Sequence, residues 1–236
     1  MIKGMYNAAK SMLVRQKNIE IIANNLANIN TNAYKRELPF AEVLGRAGEE
    51  KKIQLTDMRK GNLTKTTNKL DLALTTETFF MVKTERGTEL TSNGRFKISD
   101  DGYLVNDDGY KVLGQQGEIN LYDVMTDQEK QLNISKTGEI KLGEDIVDKL
   151  VIAKIDDQSK MQRTTGATFY FPEEDGYSIA NEEDYEVLQG YVEESNINPI
   201  LEMQSMISIN KDYEASQKMI NSLDEVLRRA RELGRV

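Results

Sequence analysis

The segment PILEMQSMISINKDYEASQKMINSLDEVLRRAR, residues 199–231, returns to an apolar or aromatic position every seven residues, at Met206, Tyr213, Ile220 and Leu227. A second set, Ile209, Ser216, Leu223 and Ala230, follows each of these by three. Spacing of seven and three over four heptads is the a/d pattern of an amphipathic or coiled-coil helix. Asn198 supplies a side-chain oxygen at the N-cap position. Pro199 suits the first helical position, where an N–H would lack a partner in any case. At 1.5 Å per residue such a helix is about 50 Å long.

The other end of the chain carries the same spacing. Met5, Met12, Ile19 and Leu26 recur by seven, and Ala8, Arg15, Ile22 and Ile29 follow each by three. A second helix is expected over residues 3–28, with Lys10, Lys17 and Glu20 off its seam and Arg15 on it. It closes on an asparagine-rich run, Asn24-Asn25-Leu26-Ala27-Asn28-Ile29-Asn30-Thr31-Asn32. Asparagine disfavours helix interiors and favours caps and left-handed turns, so one reading is a frayed end. The other is that Asn24 and Asn28, one turn apart, hydrogen-bond across a packed seam and fix its register. Two helices with matching seams are expected to pair as a coiled-coil stalk, with each other or with copies in neighbouring molecules.

The 236 residues carry a formal net charge of −8 and contain no His, Cys or Trp. Disulfides, Cys/His zinc sites and His- or Cys-based nucleophilic triads are excluded. The negative charge argues against nonspecific binding to nucleic acid. Mean hydropathy is negative, and no apolar run approaches the ~20 residues of a membrane span, so no membrane insertion is expected. Lys3 and Lys10 are not followed by a continuous apolar stretch, so a cleaved signal peptide is not expected either.

Residues 33–69 read as a charged linker. Pro39 interrupts any helix, Arg46 to Lys52 is polar with Gly45 and Gly48 around it, and Arg59, Lys60, Lys65 and Lys69 form a basic stretch. That stretch reads as a solvated segment or a contact surface for an acidic neighbour. From Leu70 the period becomes two: Leu70, Leu72 and Leu74 alternate with Asp71 and Ala73. Turn signals follow at Arg86-Gly87, Asn93-Gly94, Asp101-Gly102, Asp108-Gly109, Gln116-Gly117 and Thr137-Gly138. Short apolar runs lie between and beyond them, at Phe79–Val82, Phe96–Ile98, Tyr103–Val105, Tyr110–Leu113, Ile140–Leu142, Val151–Ile155 and Phe169–Phe171. This is the signature of an all-β domain of hairpins. Residues 173–186 read as an acidic surface excursion.

The aspartates at 100, 101, 107 and 108 lack the alternate-position ligands and closing Glu of a calcium loop, whereas Asp-Gly supplies the positive φ of a tight turn. Glu173, Glu174 and Asp175 have no base or metal partner that would make them an active site. No glycine-rich phosphate loop occurs. The residues therefore indicate no catalytic site, no metal and no cofactor.

Taken together, these stretches resemble bacterial flagellar rod and hook proteins. Asn24-Asn25-Leu26-Ala27-Asn28-Ile29-Asn30-Thr31 with Tyr34-Lys35-Arg36 resembles their N-terminal motif. Gly190 through Asn196, with Glu202-Met203, Met206-Ile207, Tyr213-Glu214 and Asp224-Glu225, resembles their C-terminal motif. Leu70 to Leu74, Phe79 to Val82, Thr91 to Phe96 and Gly102 to Val105 resemble the β core of the rod proteins. The chain departs from the family pattern in three places. Ala33 stands where glycine usually precedes the aromatic residue. Thr76-Glu77-Thr78 replaces glycines before the Phe-Phe pair, and Asn210-Lys211-Asp212 replaces a Gln-Arg-Ala. The short stretch between Arg36 and Leu70 is more proximal-rod-like than distal-rod-like.

The resemblance implies an α+β subunit with three parts: a terminal helical assembly domain (1–32 plus 196–236), a linker (33–69) and a central β domain (70–195). It implies a structural role in the flagellar basal-body rod, as a self-assembling tube that transmits torque and encloses an export channel. Implied partners are copies of itself and other rod or hook proteins, the flagellar type III export apparatus and envelope ring proteins. A coiled-coil binding module, or a hook-type axial protein with a β head, is the alternative. The expected assembly contacts are Met5, Met12, Ile19, Leu26, Met206, Tyr213, Ile220 and Leu227, with Asn24, Asn25 and Asn28 setting register. The same seam positions also suit packing within one molecule. Leu13, Ile21, Ile207, Met219 and Val226 lie on the flanks.

Overall fold

The structure is a computed structural model, described for residues 2–39, 56–122, 132–164, 166–172 and 176–233. It divides into two compact units: Met1–Ala27 with Glu37–Thr56 and Ile197–Val236, and Asn28–Arg36 with Asp57–Asn196. The architecture is α+β, with a helix at each end and an all-β middle. No helix among the described residues is long and apolar enough to cross a membrane. The readings of Arg46 to Lys52 and of Glu173 to Asp175 fall outside the described residues.

In the first unit, α1 (Ile2–Ala27) packs along α2 (Pro199–Leu233). The start of α2 is capped as its sequence indicates: Asn198 Oδ1 accepts the N–H groups of Ile200 (3.0 Å) and Leu201 (3.2 Å). Three contacts fix direction and register. A methyl group added at Gly4 would sit 3.9 Å from Leu223 Cδ1. Arg15 Nε lies 3.9 Å from Asp212 Oδ2. Asn25 Nδ2 lies 3.4 Å from Glu202 Oε2. Each advance along α1 is matched by an equal retreat along α2, so the helices run antiparallel.

The second unit is antiparallel throughout its described strand pairs. Its largest sheet runs β13 (Gln162–Arg163), β14 (Thr168–Tyr170), β4 (Gly87–Thr91), β3 (Thr78–Thr84), β7 (Lys111–Gly114), β6 (Leu104–Asn106), β5 (Phe96–Ile98). β12 (Ile152–Ile155) also joins β3 and carries β15 (Tyr177–Ile179) on its far edge, and β8 (Gly117–Glu118) joins β7. Three smaller sheets accompany it. One orders β11 (Asp145–Lys149), β10 (Glu139–Leu142) and β9 (Leu132–Ile134). The others pair β16 (Val187–Gln189) with β2 (Leu72–Leu74), and β1 (Leu63–Lys65) with β17 (Tyr191–Glu193).

Strand β3 shows why the domain holds two cores. Phe80 and Val82 enter a cluster with Leu72, Leu74, Phe96 and Val112, while Phe79 enters another with Met58, Leu90 and Phe169. Successive side chains of a strand point to opposite faces, so the Phe-Phe pair supplies one ring to each side. Phe80 meets Phe96 edge-on at 5.2 Å, and Phe79 meets Phe169 at 5.9 Å.

The expected turns form at Gly87, Gly102, Gly109, Gly117 and Gly138, all at positive φ. Asn93-Gly94 is different. Gly94 is not left-handed, and its carbonyl accepts the Leu72 N–H at 2.8 Å. A Cβ at Gly94 would lie 1.7 Å from the Leu72 carbonyl oxygen, so glycine is needed there for close backbone approach. The alternation read over Leu70 to Leu74 also differs, because Asp71, Leu72, Ala73 and Leu74 are all buried. Asp71 is tolerated inside because Thr66 Oγ1 (2.7 Å) and Asn68 Nδ2 (2.9 Å) donate to its carboxylate. Residues 57–69 of the expected linker belong to this β unit, where β1 pairs β17 with Leu63 opposite Glu193.

Candidate assembly face of the terminal helices

The seam of the helix pair is rotated from the one periodicity suggests. On α1 the buried positions are Ala8, Asn18, Ile22 and Asn25. Met5, Met12, Ile19 and Leu26 are only half-buried. The contact thus centres on the d column and the column just before a: Gly4, Ser11, Asn18 and Asn25. Those residues are small or polar, which allows close approach and hydrogen bonding on the side facing α2. On α2 the seam residues Met206, Tyr213, Ile220 and Leu227 are likewise half-buried. Four of the five flank residues, Leu13, Ile207, Met219 and Val226, are exposed, and Tyr6, Ile200, Leu201 and Met203 join them.

Of the three asparagines expected to set register, the structure buries one. Asn24 is exposed, and Asn28 lies beyond the end of α1 in a turn, where its carbonyl accepts the Thr31 N–H at 3.1 Å. Residues four apart share a face only within a helix, and α1 ends at Ala27, before Asn28. Asn25 is fully buried. Its Nδ2 donates to the Glu37 carbonyl (2.9 Å) and to Glu202 Oε2 (3.4 Å), and its Oδ1 accepts the Glu37 N–H (3.0 Å). The side-chain amide therefore completes the main-chain pairing of Glu37 as a neighbouring strand would. Glu202 sits in the first turn of α2, where the N-terminal end of the helix dipole favours a carboxylate. Its position was a visible signal: it occupies the d place one heptad before Ile209.

A second polar knot lies within the β unit, and sequence reading missed it. Glu193, at the end of β17, accepts Lys35 Nζ at 2.5 Å and the Gly61 N–H at 3.0 Å through Oε1, and Lys60 Nζ at 2.7 Å through Oε2. The Lys35 and Glu193 side chains are each 1% exposed. Lys35 Nζ also donates to the Arg59 carbonyl (3.1 Å), and Asn196 Nδ2 donates to the Asp57 (2.8 Å) and Arg59 (2.9 Å) carbonyls. Burial pushes the Lys60 ammonium below the usual lysine range; Glu193 opposes this and the Lys35 charge adds to it. Lys60 is thus part of an internal ion cluster rather than a solvated stretch.

Ala33 enters this knot at φ 55°, a left-handed conformation that costs a residue with a Cβ about 1–2 kcal/mol. It is held there by its N–H to the Glu193 carbonyl (2.8 Å) and by Ser92 Oγ donating to its own carbonyl (3.1 Å). Arg163 donates to the Lys35 carbonyl and lies 4.5 Å over the Tyr34 ring.

Three family models match the chain in order. Residues 5–35 match "Flagella basal body rod protein", 73–142 match "Flagellar hook protein FlgE/F/G D1 domain", and 188–233 match "Flagellar basal body rod FlgEFG protein C-terminal". The chain belongs to the flagellar basal-body rod family. Among relatives of the rod family, the rod protein FlgF of Mesorhizobium japonicum is 25% identical over 95% of this chain and 96% of its own length. FlgF of Rhizobium meliloti is 28% identical over 89% of each chain. The rod protein FlgG of Agrobacterium fabrum is 29% identical over 95% of this chain and 97% of its own length. The matched ends of this rod-family chain share a structural task. Segment 5–35 runs from α1 to Ala33, Tyr34 and Lys35, and segment 188–233 runs from Glu193 and Asn196 through α2. Residues that each end contributes to the β unit meet in the Glu193 knot. The glycine usual before the aromatic residue in this family is explained by the left-handed backbone at Ala33.

Proposed function

We propose that this chain is a structural subunit of the bacterial flagellar basal-body rod. In this reading it performs no catalysis. Its terminal helices drive self-assembly into a helical tube that transmits torque and encloses the export channel. Its partners are copies of itself and other flagellar rod and hook proteins. It reaches the basal body through the flagellar type III export apparatus, and envelope ring proteins surround it.

The observation that carries this reading is the unfinished burial of the helix pair. Leu13, Ile207, Met219 and Val226 remain exposed after α1 and α2 have packed, and the seam residues are only half-covered. At ~25 cal/mol per Å² of apolar surface, covering such residues on neighbouring subunits favours association. A contact between unlike surfaces, repeated by one screw operation, does not close and yields a filament or tube.

The test compares the whole chain with a form lacking residues 1–27. The cut falls there because Asn28–Arg36 belongs to the β unit. Concentrated full-length protein is expected to form open helical arrays in negative-stain images. The shortened form is expected to remain dispersed while its β unit still unfolds cooperatively. Tubes from the shortened form would overturn the role of the ends; a discrete closed oligomer of the full chain would favour a binding module instead.

A further inference from the structure

The large sheet of the β unit packs one face and leaves part of the other open. Phe80, Val82, Phe96, Leu104 and Val112 enter the same core. Their neighbours along the strands point the opposite way. There the pairing sets Lys83 opposite Lys111, Lys111 opposite Val105 and Val105 opposite Lys97, in one row across β3, β7, β6 and β5. Arg95, two residues before Lys97, extends the row. Lys83, Lys97 and Arg95 are exposed, and the Lys111 ammonium lies 3.8 Å from the centre of the Tyr103 ring. Glu118 lies among these four cations and accepts both Lys83 (2.9 Å) and Lys111 (2.6 Å), and Asp101 acts on Lys111 from the turn before β6. Like charges directly opposite each other in a sheet repel, so such a row is unfavourable until something anionic lies on it.

We propose that this cationic sheet face binds the acidic rim of the β unit of a second copy of the chain. The proposal rests on the self-assembly reading and deepens it by giving the β unit a contact of its own. The rim lies at the other end of β3. Glu182, Glu183 and Asp184 follow one another and are all exposed. The Asp184 carbonyl accepts Thr76 Oγ1 at 2.9 Å, which sets the three beside exposed Glu77, directly before β3. Lys149 pairs with Glu182, but Glu77 and Glu183 form no ion pair among the described residues. The extended chain from Glu77 to Lys83 spans about 20 Å, so the cations cannot reach the rim of their own molecule. The acids of α2 suit the row less, because Lys211, Lys218, Arg228 and Arg229 are interleaved with them. Ile179, 69% exposed beside the rim, and half-buried Met81 and Leu113 beside the lysines add an apolar part to the contact. Opposite potentials on the two surfaces select this pairing over like meeting like. The surfaces are unlike, so the contact continues from copy to copy instead of closing into a dimer.

Arrays are grown from an equal mixture of isotope-labelled and unlabelled full-length protein and treated with a carbodiimide. The reagent joins a carboxylate to an amine in contact with it, with loss of water, and mass spectrometry of the peptides reads the links. Links from Glu118 to Lys83 and Lys111 within one copy serve as the internal control. The expected result is mixed-isotope links that join Lys83, Lys97 or Lys111 to Glu77, Glu182, Glu183 or Asp184. Arrays that give the control links but no mixed-isotope link from these lysines to the rim overturn the proposal, although self-assembly itself then stands. Links between copies from these lysines to acids elsewhere overturn it as well. Charge reversal supplies a second reading. Lys97→Glu and Glu183→Lys should each raise the concentration needed for arrays severalfold, and the double variant should return it to that of the parent. If instead Glu183→Lys aids assembly by bringing the net charge toward zero, the proposal is overturned. If the parent forms no array at all, the assembly reading fails and this proposal fails with it.

Discussion

The two units of this rod-family chain solve the problem of burial differently. In the β unit, the sixteen-residue cluster around Phe80 and Ile152 is no more than 8% exposed at any member. Inside the unit, both Glu193 oxygens receive ammonium groups. In the helical unit, Ala8 and Ile22 are the buried apolar residues of α1, while Tyr6, Leu13, Ile207, Met219 and Val226 face solvent. The β unit closes its two cores within one molecule, with Tyr122, Ile146 and Ile179 as its exposed large apolar residues. The helix pair is specified in direction and register by Asn25 and Glu202, yet its apolar surface is left for something else to cover. A polar lock at one end and unfinished apolar burial along the rest suit a part that must be correctly paired before neighbours complete it.

The strongest test of completeness in the β unit is Glu193→Gln. Buried Lys35 and part-buried Lys60 would lose their carboxylate, while the side chain at 193 keeps its volume and a neutral acceptor. Removing one partner of a buried ion pair costs about 3–5 kcal/mol, because the remaining charge is left uncompensated. Urea unfolding of the β unit should shift by that amount, with helix content affected less. A loss under about 1 kcal/mol would mean that water already relieves those charges, and that the contrast between the units is weaker than burial indicates.

How far the sequence could anticipate this contrast follows from the range of each interaction. The start of α2 and most hairpins depend on neighbours within a few residues, so Asn198-Pro199 and the Asp-Gly turns could be read directly. The seam was visible as a period but not as a direction, since Gly4, Ser11, Asn18 and Asn25 carry too little apolar signal to mark the true contact. The Glu193 knot joins residues 158 and 133 positions away, which no periodicity can reveal. Strand β2 misled for another reason. It is buried on both faces, and the alternation of a half-exposed strand does not apply to it.

The lock in the helical unit can be broken by one isosteric change. Asn25→Asp replaces the Nδ2 donor by a carboxylate oxygen facing the Glu37 carbonyl and Glu202 Oε2, where it would repel both. Leaving buried polar groups unpaired costs about 1–3 kcal/mol per group. Far-UV circular dichroism should show the helical unit melting earlier, while near-UV signals from the β unit keep their midpoint. Equal loss in both units would deny that Asn25 serves the helix register in particular.

The smallest effect concerns a partly exposed pair within the β unit. Bonding to the Arg59 guanidinium holds the Asp57 carboxyl below its usual range, with burial opposing and the Arg36 charge helping. Arg59 Nε reaches both carboxylate oxygens, at 2.9 and 3.0 Å, but the Arg59 side chain is 80% exposed. An exposed pair of this kind contributes about 0.2–1 kcal/mol. Because the folded pKa is depressed, that contribution is complete above the unfolded value of about 3.9 and disappears as pH falls through the folded one. Asp57→Asn should therefore lower the unfolding midpoint of the β unit slightly at neutral pH and match the parent protein at low pH. A difference that persists unchanged once the carboxyl is protonated would assign the effect to the Asp57 backbone setting, where its N–H meets the Arg36 carbonyl at 2.8 Å, and not to charge.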